Sequence, residues 1–435
     1  MIVQSTRNNT VSFKQSSVFN TMANIESNIL LNKGITDIGG FVIPQAIMSN
    51  NKDESVERVF KSLLYFIFTF ISPFLLLPFI NKYALKSNKI LENLSGKEKK
   101  IIEVPKKYLT QGTDKMLEGI KKTAHNIFGD ENKFNPIIEK FPDKEELRKK
   151  LINAHTEILF TDFLTTNLMV ASIPWLGNAL TKYRTKRSGY SGTYKMADEE
   201  FTRKAAEKHN KTKNLRQAAT LGLAILPALT IPFALRKGML NGSSGNNKIL
   251  KWFNKNASEF DYKNSIYMSR LTALIMWLTS DYFPYQLACR DKYEYRDTVI
   301  RGTSIGLVFW GGDLFLKNTF SKFSDKVFKT NLMNKTEKRP YRLSELKNAE
   351  NIEELKQLPK AILNRTRNAG VGLYALNLAI IMGTLGFGLP AGLNKLLRTK
   401  VTEDKKKINN SLLTYDRLFD LHRNFSGFRL LKHNE

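Results

Sequence analysis

Four charged side chains stand inside the apolar stretches of this chain: Arg270, Asp281, Arg301 and Asp313. An aspartate at mid-depth in a membrane helix costs about 2.5–3.5 kcal/mol, so it must be paired, protonated or hydrated. Asp281 lies eleven residues after Arg270 and nine before Arg290, or about 16 and 13 Å along a helix. If residues 300–316 fold back antiparallel on 266–289, Arg301 comes within a turn or two of Asp281, and Asp313 falls nearer Arg270. Three readings follow: a site that carries a proton or cation, an ion pair holding the hairpin together, or the cap of a helix broken at Pro284. Asn167 and Asn377 are further polar groups in apolar surroundings.

Other chemistry finds little support. The histidines (His125, His155, His209, His422 and His433) lie in hydrophilic segments and form no pair at metal-ligand spacing. Cys289 is the only cysteine, which excludes an intrachain disulfide and a cysteine zinc site. No phosphate loop, nucleophile elbow or pair of catalytic carboxylates is visible. The glycines of GTLGFG (383–388) lie in an apolar block, where close helix packing is expected, as for Gly302 with Gly306 and Gly388 with Gly392. We therefore expect no metal and no cofactor, and an enzyme ranks third among the function classes, behind a structural role and transport.

A second group is basic. Lys182, Arg184, Lys186 and Arg187 open the stretch KYRTKRSGYSGTYK, with Tyr183, Tyr190 and Tyr194 interleaved. Such a pattern could track a nucleic acid by stacking and phosphate contact. Its place directly after an apolar block favours a membrane surface, with bases on anionic headgroups and tyrosines at headgroup level. The net charge of +28 and pI near 9.8 likewise ask for an anionic partner.

The elements that must position these residues are helices. LLYFIFTFISPFLLLPFI (63–80) carries no charge, and thirteen of its eighteen residues are Leu, Ile or Phe. Insertion of that run gains roughly 4–8 kcal/mol, and neighbouring helices can satisfy the carbonyls freed by its prolines. Apolar blocks near 62–81, 163–181, 217–235, 266–289, 300–316 and 368–394 predict an all-α, multi-pass membrane protein of four to six spans. The layout is a flexible polar segment at 1–57, a helical bundle over 58–400 and a polar tail at 401–435. Within the bundle, basic and partly helical loops are expected at 83–156 and 317–367. Residues 290–297 are short enough to close an antiparallel hairpin. Asp143 should start a helix that runs on into the second block, Pro359 should break the helical stretch 344–366, and NGSSGNNK (241–248) reads as a loop.

A faint repeat relates PFINKYALK (78–86), PWLGNALTK (174–182) and PAGLNKLLR (390–398), with Pro284 at a matching place about 110 residues from its neighbours. Mitochondrial carriers place an acid two residues after the span proline; here Ile80 and Ala234 stand there, which excludes that family. Lys and Arg show no useful bias between alternate loops, so orientation does not follow from the positive-inside rule. The expected location is a membrane, the cytoplasmic one if the source is bacterial. The expected role is a structural or assembly protein with basic loops facing lipid or a partner. The alternative is a transporter or channel moving a small solute or cation past polar groups in the bundle.

Overall fold

The computed structural model describes residues 17–91, 97–241, 247–262 and 269–431, with the side chains of residues 29, 208, 311–314 and 412–431 outside that set. The side chain of Asp313, most of the expected loop at 241–248, residues 1–16 and residues 432–435 lie outside the described residues. Among the described residues the regular structure is all-α apart from one two-stranded turn pairing Met333–Asn334 with Arg339–Pro340. Seven rods carry the fold: α1 (29–47), α2 (Lys52–Ser87), α3 (Lys144–Thr185), α4 (Lys213–Asn241), α5 (270–287), α6 (Lys292–Phe328) and α7 (360–431). Five of them contain a wide π turn, at Gly34–Val42, Ile67–Ile71, Trp277–Tyr282, Leu307–Gly312 and Met382–Gly388.

Among the described residues, four helices are long and apolar enough to cross a membrane: Lys52–Ser87, Lys213–Asn241, Lys292–Phe328 and Lys360–Ser411. In none of their apolar windows does the buried share exceed 39%. Leu75 and Phe79 on α2, Leu226 on α4 and Leu307 on α6 face outward. A water-soluble monomer rarely leaves so much apolar surface uncovered. The block at 163–181 is not among the four, since α3 carries Thr165, Thr166, Asn167, Ser172 and Asn178 within it. Asp143 caps α3 by accepting from the Glu145 amide at 2.8 Å, and the helix then runs unbroken through Pro174.

Residues 29–47 depart from the flexible segment expected over 1–57. Lys33, Gly34, Asp37, Gly39 and Gly40 interrupt their apolar pattern, yet they form α1, packed on α2 and α7. Lys33 is accommodated by the rings of Phe70 and Phe309, its ammonium 5.5 and 5.4 Å from their centroids.

The rods form two matched triplets. Lys52–Phe66 and Lys292–Gly306 are both fifteen-residue helices, begin 240 positions apart, and each continues into a π turn. Each follows a short helix with proline at its start, Pro44 in α1 and Pro284 in α5. The tips between them are capped alike. Asn51 accepts from the Glu54 amide at 2.9 Å, and Asp291 accepts from the Glu294 amide at 2.9 Å. Glu54 takes the Asn50 amide at 2.6 Å, and Glu294 takes the Arg290 amide at 2.7 Å.

The third helix of each triplet grips the other triplet's tip. Asn178 of α3 donates to the Ala288 carbonyl at 2.7 Å, and Asn394 of α7 donates to that of Met48. The matching prolines are thus Pro174 with Pro390 and Pro44 with Pro284, which replaces the spacing of about 110 residues. α4 stands between α1–α3 and α5–α7 in chain order, and the tips after α1 and α5 meet at the same end, Arg290 on Glu57, so both triplets run in the same direction.

The antiparallel hairpin of α5 on α6 is present: Tyr282 donates to or accepts from Thr303 at 3.0 Å, and a Cβ on Gly306 would lie 2.7 Å from the Trp277 ring. Gly392 makes no such approach, whereas Gly386 does. A Cβ there would lie 2.7 Å from the Gly40 carbonyl and 3.0 Å from Pro44, at the crossing of α7 and α1.

Away from the tips, the other end of the bundle carries two apolar cores. One joins the end of α2, the start of α3, the end of α4 and residues 101–141 around Leu109, Met116, Ile120, Phe134 and Phe260. The smaller gathers Phe19, Leu332, Leu343, Leu346 and Leu355 against Tyr374. The stretch 344–366 is broken before Pro359, and α7 starts immediately after it.

Candidate functional site

Where the two tips meet, four acids and four bases are packed away from water. Glu54, Glu57, Arg58 and Lys61 come from α2; Glu294, Asp297 and Arg301 come from α6; Arg290 comes from the second tip. Their i,i+4 spacing stacks them on one face of each helix. Glu57 with Lys61 in one triplet matches Asp297 with Arg301 in the other, 240 positions on.

The bridges between triplets are the informative ones. The Arg290 guanidinium lies 2.7 Å from Glu57 and 2.8 Å from Glu294, joining the two acids. Lys61 stands 2.6 Å from Glu57 and 3.6 Å from Glu294, and Arg58 stands 3.9 Å from Asp297. The eight formal charges cancel. No side chain among them is more than 14% exposed, so each would be costly without its partners.

The segment after α3 closes this cluster. Tyr190 donates its hydroxyl to Glu54 at 2.8 Å and accepts from Arg58 at 3.2 Å, while its amide donates to Asp291 at 2.7 Å. Ser191 and Thr181 donate to Glu57 at 2.7 and 2.9 Å. Gly189 makes the turn with φ of 91°, and a Cβ there would sit 3.0 Å from the Thr202 carbonyl and 3.2 Å from Asp291. Only glycine meets both demands.

Electrostatics outside the rods follow from burial. Burial works against the charge of Arg290, but Glu294 and Glu57 outweigh it and hold the guanidinium firmly protonated. Burial and repulsion from Glu294 push the Asp291 carboxyl up, despite amide donors from Glu294 and Tyr190. Burial also raises the Tyr190 hydroxyl and the Cys289 thiol well above their ordinary ranges. Cys289 sits at the end of the hairpin, as its position in the chain implies, but it is buried, its thiol donating to the Tyr285 carbonyl at 3.2 Å.

The residues singled out in the sequence are distributed differently. Arg301 bonds Asp297 at 3.1 and 3.2 Å rather than turning to Asp281. The Asp281 carboxylate, in the π turn of α5, takes a side-chain hydrogen bond from Trp277 and lies within electrostatic reach of Tyr65 and Tyr285. Arg270 is exposed at the first turn of α5. Asp313 lies in α6, its side chain outside the described set.

In the basic patch, Lys182, Arg184 and Lys186 are exposed, and Arg184 stands 3.5 Å from Asp53. Arg187 is turned inward, 4.3 Å from the Tyr194 ring and bonded to the carbonyls of Tyr194 and Ala197. Tyr190 and Tyr194 are buried, while Tyr183 is exposed.

Sequence reasoning missed the ion cluster itself. Its signal was present as two segments, NNKDESVERVFK and RDKYEYRDTVIR, with Glu at the same place and an acid–base i,i+4 pair three residues on. Their apolar residues match poorly, so hydropathy does not align the two segments.

Among the described residues no three His, Cys, Asp or Glu side chains converge in a way that could hold a metal ion. No protein-family model, curated protein or solved structure matches this chain.

Proposed function

We propose that the chain is an integral membrane protein whose seven rods cross the bilayer as two like-oriented triplets joined by α4, and that it moves a small polar solute or cation between them. The observation that carries this reading is the bridging of the triplets by Arg290 to Glu57, Lys61 to Glu294 and Arg58 to Asp297 at one end of their shared axis. Apolar residues of similar volume would hold two triplets together at least as firmly as buried ion pairs. Ion pairs offer something else, a contact that can part and re-form once water enters. Repeats related by an axis along the membrane normal are one plan of secondary transporters, with rigid-body rocking of one unit against the other. π turns concentrate at functional positions in helices, and five of these rods carry one.

The test uses accessibility at both ends. In sealed proteoliposomes, Glu57→Gln should raise labelling of Cys289 by an impermeant maleimide about tenfold. In a Cys289→Ser background, a cysteine placed at Asn32, near the far end of α1, should then label more slowly. Opposite changes are the signature of alternating access; a rise at both ends would mean simple loosening and would sink the transport reading. A structural or assembly role is the second reading, favoured by the two apolar cores at the far end, whose surfaces could seat a soluble partner. It predicts no change at Cys289 short of unfolding.

A further inference from the structure

Between α6 and α7, at the end of the bundle opposite the tips, runs an apolar groove of about 860 Å³. Phe320, Phe323, Val327 and Phe328 line it from α6, and Leu373 and Leu376 line it from α7. Phe323 and Phe328 leave 56% and 59% of their surface uncovered. The groove is not walled off by glycine contacts: no heavy atom lies within 4 Å of where a Cβ on Gly372 would stand. A ligand chain could therefore approach the helix backbone there.

One end of the groove is cationic. Lys329 and Arg365 line it there, both exposed and neither with an acidic partner among the described residues. Asp325, the acid one turn before Lys329, is turned inward. It accepts from Thr330 at 2.6 Å and from the amides of Leu332 and Met333 at 2.7 and 3.0 Å. The other end, at Leu376, lies within the apolar run of α7. From Arg365 to Leu376 is about 16 Å along the helix, which is about half the 30 Å of a bilayer's hydrocarbon.

We propose that this groove binds one anionic phospholipid, with its phosphate on Lys329 and Arg365 and an acyl chain laid along the phenylalanines. The inference rests on the membrane reading above and adds a specific ligand to it. Length and charge choose the occupant: the groove matches one leaflet in depth, and its cations stand where that leaflet's headgroups would lie. A second protein helix would need neither the paired cations nor a groove that ends at mid-depth. The volume is within the range of small-molecule sites.

The test is retention of lipid by the full chain in mild detergent, read by native mass spectrometry after exposure to equimolar phosphatidylglycerol and phosphatidylcholine. Phosphatidylglycerol should be enriched at least tenfold on the unaltered protein. The exposed pair Lys329→Glu with Arg365→Glu should erase the preference. Gly372→Phe, which fills the groove without changing charge, should lower retention of both lipids several-fold. Unchanged enrichment in both variants overturns the proposal, and so does displacement of the lipid by millimolar inorganic phosphate, which would mark a bare anion site. Release of the protein from membranes by alkaline carbonate would instead remove the reading on which it rests. Absence of the lipid preference in unaltered protein that stays with the membrane overturns this proposal alone.

Discussion

Replacing Glu57 by glutamine tests the ion cluster most directly. The Glu57 carboxylate accepts from Lys61 at 2.6 Å, Arg290 and Ser191 at 2.7 Å, and Thr181 at 2.9 Å. An amide of the same shape keeps the hydroxyl donors but leaves the cluster with one surplus positive charge. Breaking a buried pair by removing one partner costs about 3–5 kcal/mol. Lys61 and Arg290 retain Glu294 at 3.6 and 2.8 Å, which places the expected loss at the lower end, about 3 kcal/mol. Adding Lys61→Met restores neutrality at the cost of one hydrogen bond to Asn178, now 3.1 Å long and worth about 1 kcal/mol. The double variant should therefore be more stable than the two single losses imply, with a coupling of about 2 kcal/mol, within the span found for contacting charges. Denaturant titration of the four proteins in mixed micelles, followed by tryptophan fluorescence, measures it. Losses that simply add, within about 0.5 kcal/mol, would refute the claim that these charges form one balanced unit.

Other outcomes follow from single positions. Burial and the Lys106 ammonium hold His155 well below its ordinary range, so the unfolded chain takes up a proton first as pH falls. Stability should be full above about pH 6.5 and decline below it; thermal melts of His155→Leu should lose that part of the decline. Gly386→Ala forces α7 away from Gly40 and Pro44 and should cost about 1–3 kcal/mol, whereas Gly383→Ala, with open space around it, should be nearly neutral in the same melts. Cys289, buried and with its thiol pushed up, should resist maleimide in the unaltered protein and react fully once denatured, as read by intact mass.

The helical character, the long run of α3 from Asp143 and the hairpin of α5 on α6 were legible because each depends on local signals: a cap, a continuous apolar run, a short charged link. α1 was not legible, because Lys33 and Asp37 look prohibitive until Phe70 and Phe309 are seen to enclose the lysine. The expected approach of Arg301 to Asp281 is in register, with Thr303 bonded to Tyr282, but Arg301 pairs elsewhere. Asp297 lies one turn before Arg301 on the same helix and is reached without crossing to another. Tyr190 and Arg187 read as surface residues because composition cannot report that the segment after α3 folds back over the tips. The likeness of the two triplets was partly visible in Pro174 and Pro390, but its stronger half lies in charged residues, where periodicity of apolar residues gives no guidance.

The π turns bear on how such a bundle could move. A π turn holds one residue more than the α turn it replaces. If that surplus is passed along a rod, the portion beyond it rotates by about 100° and advances about 1.5 Å, while its backbone hydrogen bonds are exchanged rather than lost. The rod then behaves as a screw, presenting a new stripe of side chains without leaving its neighbours. Both hairpins carry this device in each arm, and so does α7, but α3 does not. The two triplets, alike in outline, are therefore mechanically unequal: one turns about a rigid third post, and the other has a post that can itself turn.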